Sequence, residues 1–196
     1  MTTARQHHTR TAHHRLLAVA AVAVTATALT TGCSKDDKGK ASPPPASPSA
    51  SPSPTPDPQA AEKTAMLAVY RAFWDAQLKV YATGTMKDTG IEKVGTDKAY
   101  AKVQTTRIYY VDNGFVMTGA PGLSPAVTRV DMAATPPSAT ITDCIDSTNY
   151  IKIEKQSGKP VETLDKNRRH VATYTALKIG GAWQIRDFEI SRDQLC

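Results

Sequence analysis

Residues Met66-Leu67-Ala68-Val69-Tyr70-Arg71-Ala72-Phe73-Trp74-Asp75-Ala76-Gln77-Leu78-Lys79-Val80-Tyr81 decide the fold. Met66, Val69, Tyr70, Phe73, Trp74, Leu78 and Tyr81 recur at spacings of three and four, the period of an amphipathic helix. The spacing predicts a helix over residues 61–82, ended by Thr83-Gly84, with a wide aromatic stripe.

Downstream, a poorly patterned segment covers Lys87 to Val94. After Gly95, the Thr96 or Asp97 side chain is expected to cap a further helix running to about Val111, with Asp112-Asn113-Gly114 as its stop. The period then changes. Ala126–Ala133, Ser138–Ile145, Asn149–Lys155, His170–Ile179 and Trp183–Ile190 are rich in β-branched and aromatic residues. They are separated by Thr135-Pro136-Pro137, Asp146-Ser147-Thr148, Ser157-Gly158-Lys159-Pro160 and Gly180-Gly181. Helices followed by a run of antiparallel strands indicate an α+β domain.

The order of these parts resembles the cone-shaped fold of the nuclear transport factor two superfamily, and a group of actinobacterial lipoproteins and secreted proteins of that shape. The residues that carry the resemblance are the aromatic first helix, Thr142-Asp143-Cys144 in a strand, the turn Gly158-Lys159-Pro160, the hairpin Gly180-Gly181-Ala182-Trp183 and the terminal Cys196. The resemblance covers residues 61–196 and implies N-terminal helices packed on one curved antiparallel sheet, in a cell-surface setting. It does not imply an activity, because one fold carries many functions. Enzymes of the superfamily use an Asp base with Tyr or carboxylic acid donors inside the cone. Asp131, Asp143 and Asp187 lie in strands, and Tyr70, Tyr81, Tyr109, Tyr110 and Tyr174 could supply hydroxyls, but none matches a catalytic motif position by position. A strand Asp ordinarily faces water.

Upstream, Arg5, Arg10 and Arg15 precede an apolar stretch from Leu16 to Leu29, shorter than the ~20 residues a membrane span needs. Leu29-Thr30-Thr31-Gly32-Cys33 resembles the lipobox of bacterial lipoproteins, with Leu29 one place further from the cysteine than usual and Thr30 where leucine is commonest. Residues 1–32 are therefore read as a lipoprotein signal peptide and Cys33 as the site of lipid attachment, with acyl chains such as palmitate. Two or three chains anchor stably, each buried methylene contributing ~0.8 kcal/mol. Residues 33–60 carry the cysteine and a Pro/Ser-rich tract that cannot build a core and favours an extended, semi-rigid tether. The same tract is also compatible with a PxxP ligand or an O-glycosylated stalk.

Residues 61–196 hold 18 Lys and Arg against 15 Asp and Glu, so the formal charge of +6 for the whole chain falls to +3 in the domain. The remaining basic run, Lys166-Asn167-Arg168-Arg169-His170, reads as a solvated loop rather than a nucleic-acid surface. Cys144 and Cys196 are the only cysteines after Cys33. An even remainder in an exported chain suggests a disulfide rather than a metal site or a reactive thiol, and the curled sheet that the resemblance implies would let the strand ending near Ile190 run beside the one holding Cys144. The tether and the domain carry one histidine, His170, and no GxSxG, HExxH, phosphate loop or calcium loop, so no cofactor or metal is expected.

Trp74, Tyr81 and Tyr174 are the candidates for lining a pocket, although an aromatic helix stripe more often packs a core. These observations favour a membrane-anchored extracytoplasmic binding or accessory module, with an isomerase- or dehydratase-like enzyme as the alternative. The expected partners are the membrane through its anchor, and another envelope protein or a small apolar ligand.

Overall fold

The aromatic stripe forms helix α1, Ala60–Thr83. A computed structural model describes residues 57–196; the signal peptide, Cys33 and nearly all of the tether lie outside the described residues. Asp57 opens α1, its carboxylate accepting from the Gln59 N–H at 2.8 Å and pairing with Lys63 Nζ at 2.7 Å. Gly84 closes it at φ 75, donating its N–H to the Val80 carbonyl, a left-handed stop that glycine adopts without steric cost. The buried face comprises Met66, Tyr70, Phe73, Trp74, Gln77, Val80 and Tyr81, so Gln77 joins the stripe while Leu78 stays half-buried.

Helix α2 is a single turn, Ile91–Val94, shorter than the 87–94 segment because Gly90 sits at φ 79 and ends the preceding turn. Helix α3 runs Asp97–Asp112. Its expected cap is not made. Thr96 gives no side-chain cap bond, and Asp97, at φ 50, directs its carboxylate to Arg186 Nε at 3.0 Å.

Six strands follow: β1 Phe115–Gly119, β2 Ala126–Asp131, β3 Ser138–Asp146, β4 Tyr150–Glu154, β5 Arg169–Ile179 and β6 Ala182–Leu195. All pairings are antiparallel, so the domain is α+β. The strands form two sheets, β2-β3-β5-β6 and β1-β4, rather than the one sheet expected, because β1 was not legible in the sequence and β4 pairs with it. Helix α1 packs against strands of both sheets, and α3 against β6 and β1. Glu62 fastens the start of α1 to the β5–β6 hairpin by accepting from Lys178 Nζ and Trp183 Nε1, both at 2.7 Å. These bonds, Lys178 first and then Trp183, hold its carboxyl below the ordinary glutamate value. Gly180 and Gly181, at φ 58 and 85, make the two-residue hairpin turn.

A bulge at Arg186 shapes β6. Thr175 pairs with Asp187 and Ala176 with Ile185, which leaves Arg186 unpaired and shifts the alternation by one residue. Trp183 and Ile185 therefore point into the core with Tyr174 and Ala176, and beyond the bulge Phe188 and Ile190 take the inward positions.

The two-stranded sheet depends on Gly119. At φ 75, a Cβ there would lie 1.9 Å from the Asn149 carbonyl oxygen. Gly119→Ala is expected to separate the end of β1 from β4, since the strain includes a backbone clash beyond the ~1 kcal/mol of a left-handed Cβ. Amide hydrogen exchange should accelerate in 115–119 and 150–154 while β3 and β5 stay protected. Unchanged exchange in those segments would contradict this register.

Candidate functional site

Alternation along β3 buries Ala139, Ile141, Asp143 and Ile145, which places a carboxyl in the core. Asp143 does not face water as a strand Asp was expected to. One oxygen accepts from the Tyr70 hydroxyl and the other from the Ser124 N–H at 2.6 Å. The Trp74 indole N–H in turn donates to the Tyr70 oxygen at 2.8 Å, and the Tyr174 ring meets Tyr70 edge-on at 4.8 Å between centroids. Burial first, then Tyr174 and Asp143, push the Tyr70 phenol above its ordinary value. A carboxyl with both oxygens engaged by donors can stay in the core, which an unpaired one could not.

Beside this network lies a cavity of about 740 Å³, within the range of small-molecule sites. Trp74, Gln77 and Tyr81 reach it from α1. Tyr150 reaches it from β4, His170 from β5, and Phe188 and Ile190 from β6 past the bulge. Tyr174 is not among the lining residues: it is buried, stacked on Phe188 at 5.5 Å. Asp143 and Tyr70 are likewise outside the lining.

Among the described residues, three buried side-chain polar atoms lack a hydrogen-bond partner, namely Gln77 Oε1, Tyr150 Oη and His170 Nδ1. All three residues line this cavity. All three atoms are covered by protein, so they stand behind the accessible lining rather than on it. Sequence reasoning missed Gln77 and Tyr150, and it set His170 aside as a lone histidine at a strand edge. The available signal for Gln77 was a polar residue within the apolar helical stripe.

One end of the cavity is closed by a double clasp. Ser147 donates its N–H and hydroxyl to the Arg168 carbonyl at 2.7 and 2.9 Å, and the Arg168 guanidinium donates to the Ser147 and Tyr150 carbonyls. His170 Nε2 lies 2.9 Å from Asp165 Oδ2, and Arg192 meets the same oxygen at 3.2 Å. A histidine oriented by a carboxylate is an acid–base arrangement, but here the other ring nitrogen is covered. Burial pushes the phenols of Tyr81, Tyr110 and Tyr150 upward, so they are hydroxyl donors rather than bases. Among the described residues, no cluster of three His, Cys, Asp or Glu could hold a metal ion.

Cys144 and Cys196 form a disulfide, 52 residues apart in sequence. The expected adjacency of their strands is not what joins them. β6 pairs with β5, which intervenes, and the link is made only because β6 continues to Leu195, opposite His170, at the end where Cys144 pairs with Val171. Among the described residues, no helix is long and apolar enough to cross a membrane.

No protein-family model matches the sequence, and the search of curated proteins returns no match. Among solved structures, the intermembrane space region of the chloroplast protein ARC6 aligns with a TM-score of 0.49 at 11% identity, covering 73% of this chain and 100% of that one. A likeness at that level bears on neither family nor function.

Proposed function

We propose that the protein is an extracytoplasmic lipoprotein, anchored through Cys33, whose domain binds a small molecule in the cavity beside α1 without transforming it. The observation that carries the binding role is a cavity of about 740 Å³ with aromatic and aliphatic surface from Trp74, Tyr81, Phe188 and Ile190 on one side and Lys152 and Arg168 also in its lining. The aromatic first helix, the two shorter helices and the antiparallel strands support a cone of the nuclear transport factor two type around that space. The enzymatic alternative has less support. The buried carboxyl is fully engaged and lies outside the lining, and the one domain histidine has its Nε2 on Asp165 and its Nδ1 covered by protein.

The neutral amphipathic fluorophore N-phenyl-1-naphthylamine tests the binding role. It should bind at one site per chain and quench Trp74, which lies in the lining. Met117→Trp fills the cavity from half-buried β1 and should abolish binding while leaving the thermal midpoint within a few degrees. Binding that survives this substitution would place the dye elsewhere.

The anchor has its own test. Cys33→Ala should leave an unprocessed precursor or send the protein to the soluble fraction, as the Gly32-Cys33 junction behind an apolar segment requires. Unchanged membrane retention and mature mass would sink the lipoprotein reading.

A further inference from the structure

The cavity lining is electrostatically uneven. Lys102, Lys152, Lys166, Arg168 and Arg192 contribute to it against two carboxylates, Glu162 and Asp165. Both carboxylates are already engaged, Glu162 by Lys166 at 3.2 Å and Asp165 by Arg192 at 3.2 Å and by His170. Lys102 is neutralised from outside the lining by Asp187 at 2.7 Å. Arg168 and Lys152 then remain with no carboxylate partner among the described residues. The Arg168 guanidinium has only the Ser147 and Tyr150 carbonyls, and the Lys152 ammonium rests on ring faces, 4.9 Å from the centroid of Phe115 and 5.8 Å from that of Tyr109.

The two cations adjoin the Tyr150 backbone. Lys152 is two residues along β4 from it and so shares its face of the strand, while Arg168 bonds to its carbonyl. Both cations are half-buried, where an unpaired charge is more costly than on an open surface. The other side of the cavity is different in kind. Trp74, Tyr81, Phe188 and Ile190 present ring faces and aliphatic surface with no formal charge.

We propose that the occupant is an amphipathic organic anion. Its negatively charged head group is received by Arg168 and Lys152, and its ring-based apolar body lies against Trp74, Tyr81 and Phe188. This rests on the reading of the cavity as a binding site and adds the ligand's charge and orientation. A flat anionic group accepts from the guanidinium and lies against the ammonium, neither of which forms an ion pair with a carboxylate among the described residues. Aromatic walls favour rings over a flexible aliphatic chain because offset and edge-on ring contacts add to plain area burial.

Two probes with the same ring skeleton separate the claims. 1-Anilinonaphthalene-8-sulfonate carries the anionic head, and N-phenyl-1-naphthylamine lacks it. With the full, oxidised chain, the sulfonate should bind at one site at least tenfold more tightly than the neutral amine, about the worth of one charge-assisted hydrogen bond, and its advantage should shrink as salt is raised. Lys152→Gln, which breaks no backbone contact, should remove much of that advantage and leave the neutral amine's affinity unchanged. Arg168→Gln should do the same, with a thermal midpoint measured alongside because its backbone clasp is also lost. Equal affinity for both probes, unaffected by Lys152→Gln, would overturn the anion assignment and leave the cavity as a neutral-ligand site. Binding of neither probe would overturn both readings. Sulfonate binding at several sites, insensitive to Met117→Trp, would assign it to the surface and also overturn the proposal.

Discussion

Asp143→Ala will lower the unfolding free energy by about 3–5 kcal/mol. The substitution leaves the buried Tyr70 hydroxyl without its acceptor, removes the bond from the Ser124 N–H at the edge of the core, and opens a gap under α1. The stranded hydroxyl costs about 1–3 kcal/mol, and the lost Ser124 bond and the gap add to that. Tyr70→Phe should also destabilise, since it takes a bond from the buried Asp143 carboxyl and leaves the Trp74 indole N–H without its acceptor, while the bond from Ser124 and the ring contact with Tyr174 remain. The two losses should fall short of additive when combined, because both remove the same bond. Urea unfolding of the two single variants and the double variant measures this. An Asp143→Ala loss below ~1 kcal/mol would mean that water satisfies the side chain and that the core network is not as described.

Replacing both Cys144 and Cys196 with Ser will cost about 4 kcal/mol in the chain-entropy model, given the 52-residue separation. The bridge encloses β4, β5 and β6 and the segment that closes one end of the cavity, so the unfolded chain gains its freedom in the elements that shape the site. The loss should also appear locally. Residues 191–195 of β6 are mostly exposed, and without the bridge their amides should exchange rapidly while β3 stays protected. Equal stability with and without a reducing agent would contradict a bridge that stabilises the fold.

The first helix and five of the six strands were legible, the clearest from their periods: Met66 to Tyr81 at 3.6, Ser138 to Ile145 near 2. β1 was not. Phe115-Val116-Met117-Thr118-Gly119 is five residues long and begins right after a helix stop, so no alternation has room to show. The bulge at Arg186 is equally silent in sequence, since it is defined by the pairing partner on β5. The site suffered most from this. Trp74 and Tyr81 could be nominated from the stripe, but Tyr150, Arg168 and His170 meet only through the β1–β4 pairing and the Ser147–Arg168 clasp, which are long-range contacts. Asp143 was misread because strand Asp residues are usually solvated. What buries this one is Tyr70, seventy-three positions away.

The most direct measurement of the central claim is an amide and side-chain NMR titration of the oxidised full chain with N-phenyl-1-naphthylamine. The account predicts saturating shifts of the Gln77 side-chain amide, the Trp74 indole N–H and the backbone amides of Tyr150 and His170, with the outer face of α3 unmoved. Saturation with none of these four groups perturbed, or shifts confined to exposed Ile108, Tyr109 and Val111 on α3, would contradict it.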